Sequence, residues 1–160
     1  MNWIKVYDLA NDKDYIHLVQ QAAIRWIKES GDAAQDRPLV GSPEWWKTVE
    51  SGELESHWVT GTIKRPLWTG MNDFPEVEVE EESGSISLWP RRGDVTEYSK
   101  GRGIRIRWVA QKRMKPIEDM AEEMTVVVEV WLQAGAWRRT AEYGAGPGRS
   151  LDEGWEGGPA

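Results

Sequence analysis

Apolar residues in the first part of the chain recur at spacings of three and four. Ile16, Val19, Ala23, Trp26 and Ile27 share one stripe, which predicts an amphipathic helix from Asp12 to about Ser30. Asn11 is suited to cap it, Asp12 and Asp14 suit its positive end, and Gly31 supplies a left-handed stop. Ahead of it, Trp3 to Asp8 reads as a short strand with Ile4 and Val6 on one side. After a polar connector, Asp32 to Gly41, Ser42-Pro43-Glu44 spells cap, first-turn proline and first-turn acid. A short helix should run from Pro43 to about Ser51 and end at Gly52. Trp45 and Trp46, adjacent on it, point about 100° apart, so they cannot share one narrow stripe.

From His57 the period changes to two. His57 to Lys64 reads as a strand with Val59 and Ile63 on one face. Glu76 to Glu80 alternates, Val77 and Val79 inward and the three glutamates outward. Ser83-Gly84 turns the chain into Ser85 to Trp89, where Ile86 and Leu88 are expected to face the core. Gly103 to Arg113 places Ile104, Ile106 and Trp108 opposite Arg105 and Arg107. Pro116 to Met124 suits a helical turn. Thr125 to Leu132 sets Val126, Val128, Val130 and Leu132 on one face. The sum is an α+β domain, residues 1–143: an N-terminal amphipathic helix packed on a curved antiparallel sheet of four to six strands. The alternative is a small β-barrel with the helix as its plug. Residues 144–160, rich in Gly and Pro and acidic, read as a flexible tail. The chain has no internal repeat.

Composition sharpens this picture. The 160 residues include eleven Trp, one Phe, four Tyr and no Cys, which removes disulfides, thiolate metal sites and cysteine catalysis. No apolar run is long enough to span a membrane. No secretory pattern opens the sequence, and the cytoplasm is the expected compartment. The formal net charge is -7, which disfavours non-specific contact with nucleic acid. Charge is nonetheless segregated. Tyr98 to Ile117 holds seven bases and no acid, and the rest of the chain carries 13 bases against all 27 acids.

Catalytic and metal-binding patterns are weak. His17 and His57 fall in different elements, no EF-hand spacing occurs, and no G-x-S-x-G elbow accompanies them. No metal and no cofactor is implied, and the reading leans to a non-enzymatic protein. Two groups of residues remain as candidates. The basic stretch Arg102, Arg105, Arg107, Lys112 and Arg113, with aromatics nearby, suits a single-stranded nucleic-acid groove. Against that, the Glu76/Glu78/Glu80 row has matching spacing, and pairing with Arg105 and Arg107 would neutralise both inside the protein.

The second group is the tryptophans. Trp26, Trp58 and Trp108 fall at expected core positions. Eleven exceed what one core of this size needs, so a surplus should be exposed. Trp45, Trp46, Trp68 in a loop and Trp89 are the candidate partner-binding residues, because Trp concentrates binding energy at protein interfaces. The leading reading is thus a protein-protein interaction module, a small acidic adaptor, inhibitor or immunity-like protein with a Trp-rich patch. Toxin-immunity and inhibitor proteins share this profile of composition. The alternatives are a small-molecule-binding domain or enzyme with a Trp-lined pocket, and the nucleic-acid binder.

Overall fold

A computed structural model describes residues 2–30, 37–69, 74–112, 123–137 and 149–150. Several sequence expectations lie outside that set: the Gly31 stop, residues 116–122 of the helical turn expected from Pro116 to Met124, Arg113, and the C-terminal tail apart from Arg149–Ser150; Glu123 and Met124, the end of that expected turn, are strand instead. The described elements are β1 (Trp3–Asp8), α1 (Lys13–Ser30), α2 (Pro43–Ser51), β2 (Ser56–Thr69), β3 (Phe74–Glu81), β4 (Ile86–Pro90), β5 (Gly103–Lys112), β6 (Glu123–Gln133) and the two-residue β7 (Arg149–Ser150). The fold is α+β, with a curved antiparallel sheet that is not closed into a barrel. Strand order is β1-β6-β5-β2-β3-β4, with β7 paired to β2 beside this path. The sheet therefore has two ends, β1 and β4, which removes the barrel alternative. No helix among the described residues is long and apolar enough to cross a membrane.

The chain divides into two compact units. The first comprises Met1–Tyr7, Val59–Ile106 and Val130–Ala160, the second Asp8–Trp58 and Arg107–Glu129. In the first unit, Ile63, Val77, Val79, Ile104, Val130 and Leu132 are buried, as their period-two spacing requires. Arg102 is buried beside them. Its Nε donates to the Gln133 carbonyl at 2.7 Å, and its Nη1 donates to the Glu97 carbonyl at 2.9 Å and to Glu97 Oε2 at 3.0 Å. Gly61 lies so close to β3 that an added Cβ would stand 2.3 Å from the Glu80 carbonyl oxygen. Only glycine admits that approach.

In the second unit both helices begin as their sequences prescribe, with one change. Leu9–Asn11 forms a 3-10 turn, so Asp12, not Asn11, caps α1 and accepts from Tyr15 N at 3.2 Å. The α1 stripe is unevenly covered. Ile16 is buried, whereas Val19, Ala23, Trp26 and Ile27 are half-buried. Ile16 sits over Gly41, whose φ of 81° and lack of Cβ both serve the contact: a Cβ there would meet the Ile16 side chain at 2.8 Å. Ser42 caps α2, accepting from Trp45 N at 3.2 Å, and Gly52 ends it with φ 80°.

Three strands differ from the alternation read in the sequence. In β2, pairing with β3 shifts between Ile63 and Arg65, and the irregularity carries the strand on to Thr69, through Pro66. In β5 the buried positions run Ile104, Ile106 and then Val109, Gln111. That one-residue change of phase takes Trp108 off the Ile104/Ile106 face, and Trp108 is half-buried. In β4 the expected face is reversed: Ile86 and Leu88 are 46% and 49% exposed, and Trp89 is buried. The cause is register. Trp89 stands opposite Val77 and Ser87 opposite Val79, and residues directly opposite share a face. Once Val77 and Val79 face inward, Ile86 and Leu88 must face out.

Candidate functional site

The reversal of β4 creates the site. The β3–β4 hairpin turns through Gly84, whose N–H donates to the Glu81 carbonyl at 2.8 Å. Its pairings set Glu76 against Pro90, Glu78 against Leu88 and Glu80 against Ile86, all on the outer face. Phe74 occupies the same face of β3, two residues before Glu76, and is 59% exposed. The result is a surface on which Phe74, Ile86 and Leu88 alternate with three carboxylates.

The carboxylates differ in state. Glu78 is held by β2, where Arg65 Nε and Nη2 donate to its two oxygens at 3.0 and 3.3 Å. Glu80 is exposed and has no ion-pair partner among the described residues. Partial burial raises the pKa of Glu76 above the usual carboxylate value, because desolvation disfavours its charged form. Among the described residues Glu76 and Glu80 thus stand without a fixed cation, and Glu82 is exposed in the adjoining turn. Such a face attracts cationic groups and offers apolar area between them.

The candidate tryptophans are distributed otherwise. Trp45 is 1% exposed and donates its indole N–H to Gln111 Oε1 at 3.0 Å. Trp46 meets it edge-on at 4.9 Å between centroids and is half-buried. Trp89 is buried, with Nε1 donating to Ser87 Oγ at 2.8 Å. Trp68 lies within β2, not in a loop, opposite Pro75, with the Arg91 guanidinium 5.3 Å from its ring centroid. Trp45 and Trp46 belong to the second unit, Trp68 and Trp89 to the first. Trp58, read as core, is 52% exposed. It alternates with Val59, which takes the inward position. Beside it, the His57 ring lies 4.6 Å from that of Trp108.

The described residues of the basic stretch have separate partners. Arg102 is buried as described. Arg107 donates to Glu129 Oε1 on β6 at 2.9 Å, and the Arg105 guanidinium lies 4.2 Å from the Trp3 ring centroid. The Lys112 carbonyl accepts from Arg37 Nη1 at 3.5 Å. Neutralisation inside the protein is therefore real at Arg102 and Arg107, but its agents are not the Glu76/Glu78/Glu80 row. β2 lies between β3 and β5 and supplies the cation for Glu78.

A family model described as Immunity protein RhsI2 matches residues 4–133, 130 of the 160 positions. The chain belongs to the RhsI2 immunity protein family. No curated protein matches it. The family match carries a protein-binding role, and it spans both helices and, apart from Trp3, all of β1 to β6, the hairpin surface included. Sequence reading placed Ile86 and Leu88 on the wrong side, so it missed that surface. The signal was present in the turn. Three residues, Glu82-Ser83-Gly84, separate Glu81 from Ser85, and counting outward from that pair sets Ser87 and Trp89 against the inward valines.

Proposed function

We propose that this chain is an immunity protein that neutralises a toxin by holding a basic protein surface against the outer face of β2, β3 and β4. One observation carries the assignment of the face: Phe74, Ile86 and Leu88 stand exposed among Glu76, Glu78 and Glu80 on a chain of an immunity family. Exposed apolar side chains of this kind supply the desolvated centre of an interface. Unpaired carboxylates steer a cationic partner into place and reject acidic ones. The net charge of -7 acts in the same sense over longer range.

The test is neutralisation of the cognate toxin in cells that co-express this chain. Ile86→Asp together with Leu88→Asp adds charge at two exposed positions, so the fold should persist by circular dichroism while protection is lost. Glu80→Lys should weaken protection and reduce its dependence on salt. Full protection by the folded Ile86→Asp/Leu88→Asp variant would place the toxin elsewhere on the molecule.

A further inference from the structure

The outer edge of the hairpin carries a second feature, in the backbone. Glu81 N donates to the Ser85 carbonyl and Arg91 N donates to the Pro75 carbonyl, each at 2.9 Å. In an antiparallel ladder, bonded and non-bonded pairs alternate. Between those two bonds the register sets Val79 opposite Ser87 and Val77 opposite Trp89, which are therefore the bonded pairs. Ile86 and Leu88 belong to the non-bonded pairs, so their N–H and C=O groups point away from β3. Among the described residues no further strand follows β4 in the sheet. The backbone groups of Ile86 and Leu88 thus face outward, beside the same residues' exposed side chains.

Exposed edges are usually guarded by lysine, an inward charge, a bulge or a central proline. β4 reads Ile-Ser-Leu-Trp-Pro: it has no charge, and its one proline comes last. A five-residue edge left this open is a template for another strand. We infer that β4 accepts an extended basic segment of the protein partner as an added strand, an inference that rests on the hairpin face being the binding surface.

Charge chooses the occupant. A second copy of this chain, pairing β4 with β4, would bring two glutamate rows together. An incoming lysine or arginine opposite Ile86 would share the outer face and lie two strand spacings, roughly 10 Å, from Glu80. Its aliphatic stem can cross Ile86 and set the charged head at the carboxylate. The alternation of aliphatic and glutamate residues across the hairpin then matches one side chain twice, stem on β4 and charge on β3.

The probe is a synthetic peptide, Thr-Lys-Val-Lys-Val-Lys-Thr, added to the full chain and followed by fluorescence anisotropy and amide hydrogen exchange. The Ile86 and Leu88 amides should exchange at least about tenfold more slowly with peptide bound, whereas Ser87 and Trp89, already bonded to β3, should change less. Leu88→Pro removes the leucine side chain and the outward N–H and should weaken binding by about tenfold or more, Leu88→Ala, which loses the side chain alone, by about threefold, a gap of at least about 0.7 kcal/mol. Methylating alternate peptide nitrogens tests the same bonds without altering the protein: one parity should abolish binding and the other leave it. Equal weakening by both Leu88 variants, or by both parities, with unprotected amides would overturn strand addition while leaving the face as the toxin site. So would a peptide that fails to bind when the toxin still does, or Ile86 and Leu88 amides protected by self-association alone. If toxin neutralisation is indifferent to Ile86→Asp/Leu88→Asp, the face itself is wrong, and strand addition falls with it.

Discussion

Replacing Trp45 by alanine separates packing from binding at the residue that composition alone marks as a binding candidate. The indole is 1% exposed, and a buried Trp removes on the order of 200 Å² from water. At about 25 cal/mol per Å² that is roughly 5 kcal/mol, consistent with the 3–5 kcal/mol usual for Trp→Ala in a core. The same change strips Gln111 Oε1 of its indole donor, and an orphaned buried acceptor costs about 1–3 kcal/mol more. Against a total stability of about 5–15 kcal/mol, the variant should be close to unfolding. With a urea m-value of about 2 kcal/mol/M, the midpoint should fall by about 2 M or more. Trp45→Phe keeps most of the apolar area and loses the hydrogen bond, so it should recover over half of that loss. Urea titration monitored by far-UV circular dichroism reads both, with toxin neutralisation measured on the same preparations. A Trp45→Ala protein with the wild-type midpoint and lost neutralisation would refute the packing argument and make the indole a contact residue.

Three further outcomes follow from the same structure. Arg102→Met removes the hydrogen bonds to the Gln133 and Glu97 carbonyls and to Glu97 Oε2 and should cost about 1–3 kcal/mol by chemical denaturation; a neutral result would mean that water replaces these bonds at no expense. Gly61→Ala forces a Cβ to within 2.3 Å of the Glu80 carbonyl oxygen, so its thermal midpoint should drop even though Gly→Ala in an unhindered strand would be mildly favourable. Glu76 has a raised pKa from desolvation, so the folded state holds its proton more tightly than the unfolded chain does. Stability from this group is therefore lost as pH rises through the carboxylate range. Glu76→Gln should melt above wild type at pH 7, and the difference should vanish as pH falls below the ordinary carboxylate value; a constant difference across that range would point to another cause.

Where alternation and register agreed, the fold was legible in advance. β3 carries valine on one side and glutamate on the other, so its inward face needs no neighbour to declare it. The Val126, Val128, Val130 and Leu132 row of β6 and the caps of α2 were equally plain. Alternation names two faces without saying which is inside, and β4 shows the consequence. Ile86 and Leu88 lie on one face and Trp89 on the other, so hydropathy weighs both as apolar. The choice falls to the hairpin count that binds Trp89 to Val77. In β5 a one-residue slip of phase after Ile106 separated Trp108 from the row it was expected to join. No local pattern marks such a slip, because it arises from how neighbouring strands accommodate each other. Charge was misread for a related reason. The Glu76/Glu78/Glu80 and Arg105/Arg107 rows match in spacing, but spacing says nothing of adjacency, and β2 lies between them with its own arginine.

These errors have a common physical direction. Each assumed that apolar or opposite-charged residues are consumed inside the chain, as minimal folding free energy would favour. At Arg107 that assumption holds in outline, with Glu129 as the partner, whereas Trp45, expected among the exposed surplus, is buried. At β4 it fails: Ile86 and Leu88 are exposed, and among the described residues the β4 edge is unpaired and Glu76 and Glu80 have no fixed cation. The apolar area, ladder capacity and charge left unspent on this one hairpin are what support placing the proposed toxin-binding surface there. Departure from local consistency is therefore the physical ground on which the proposed binding surface rests.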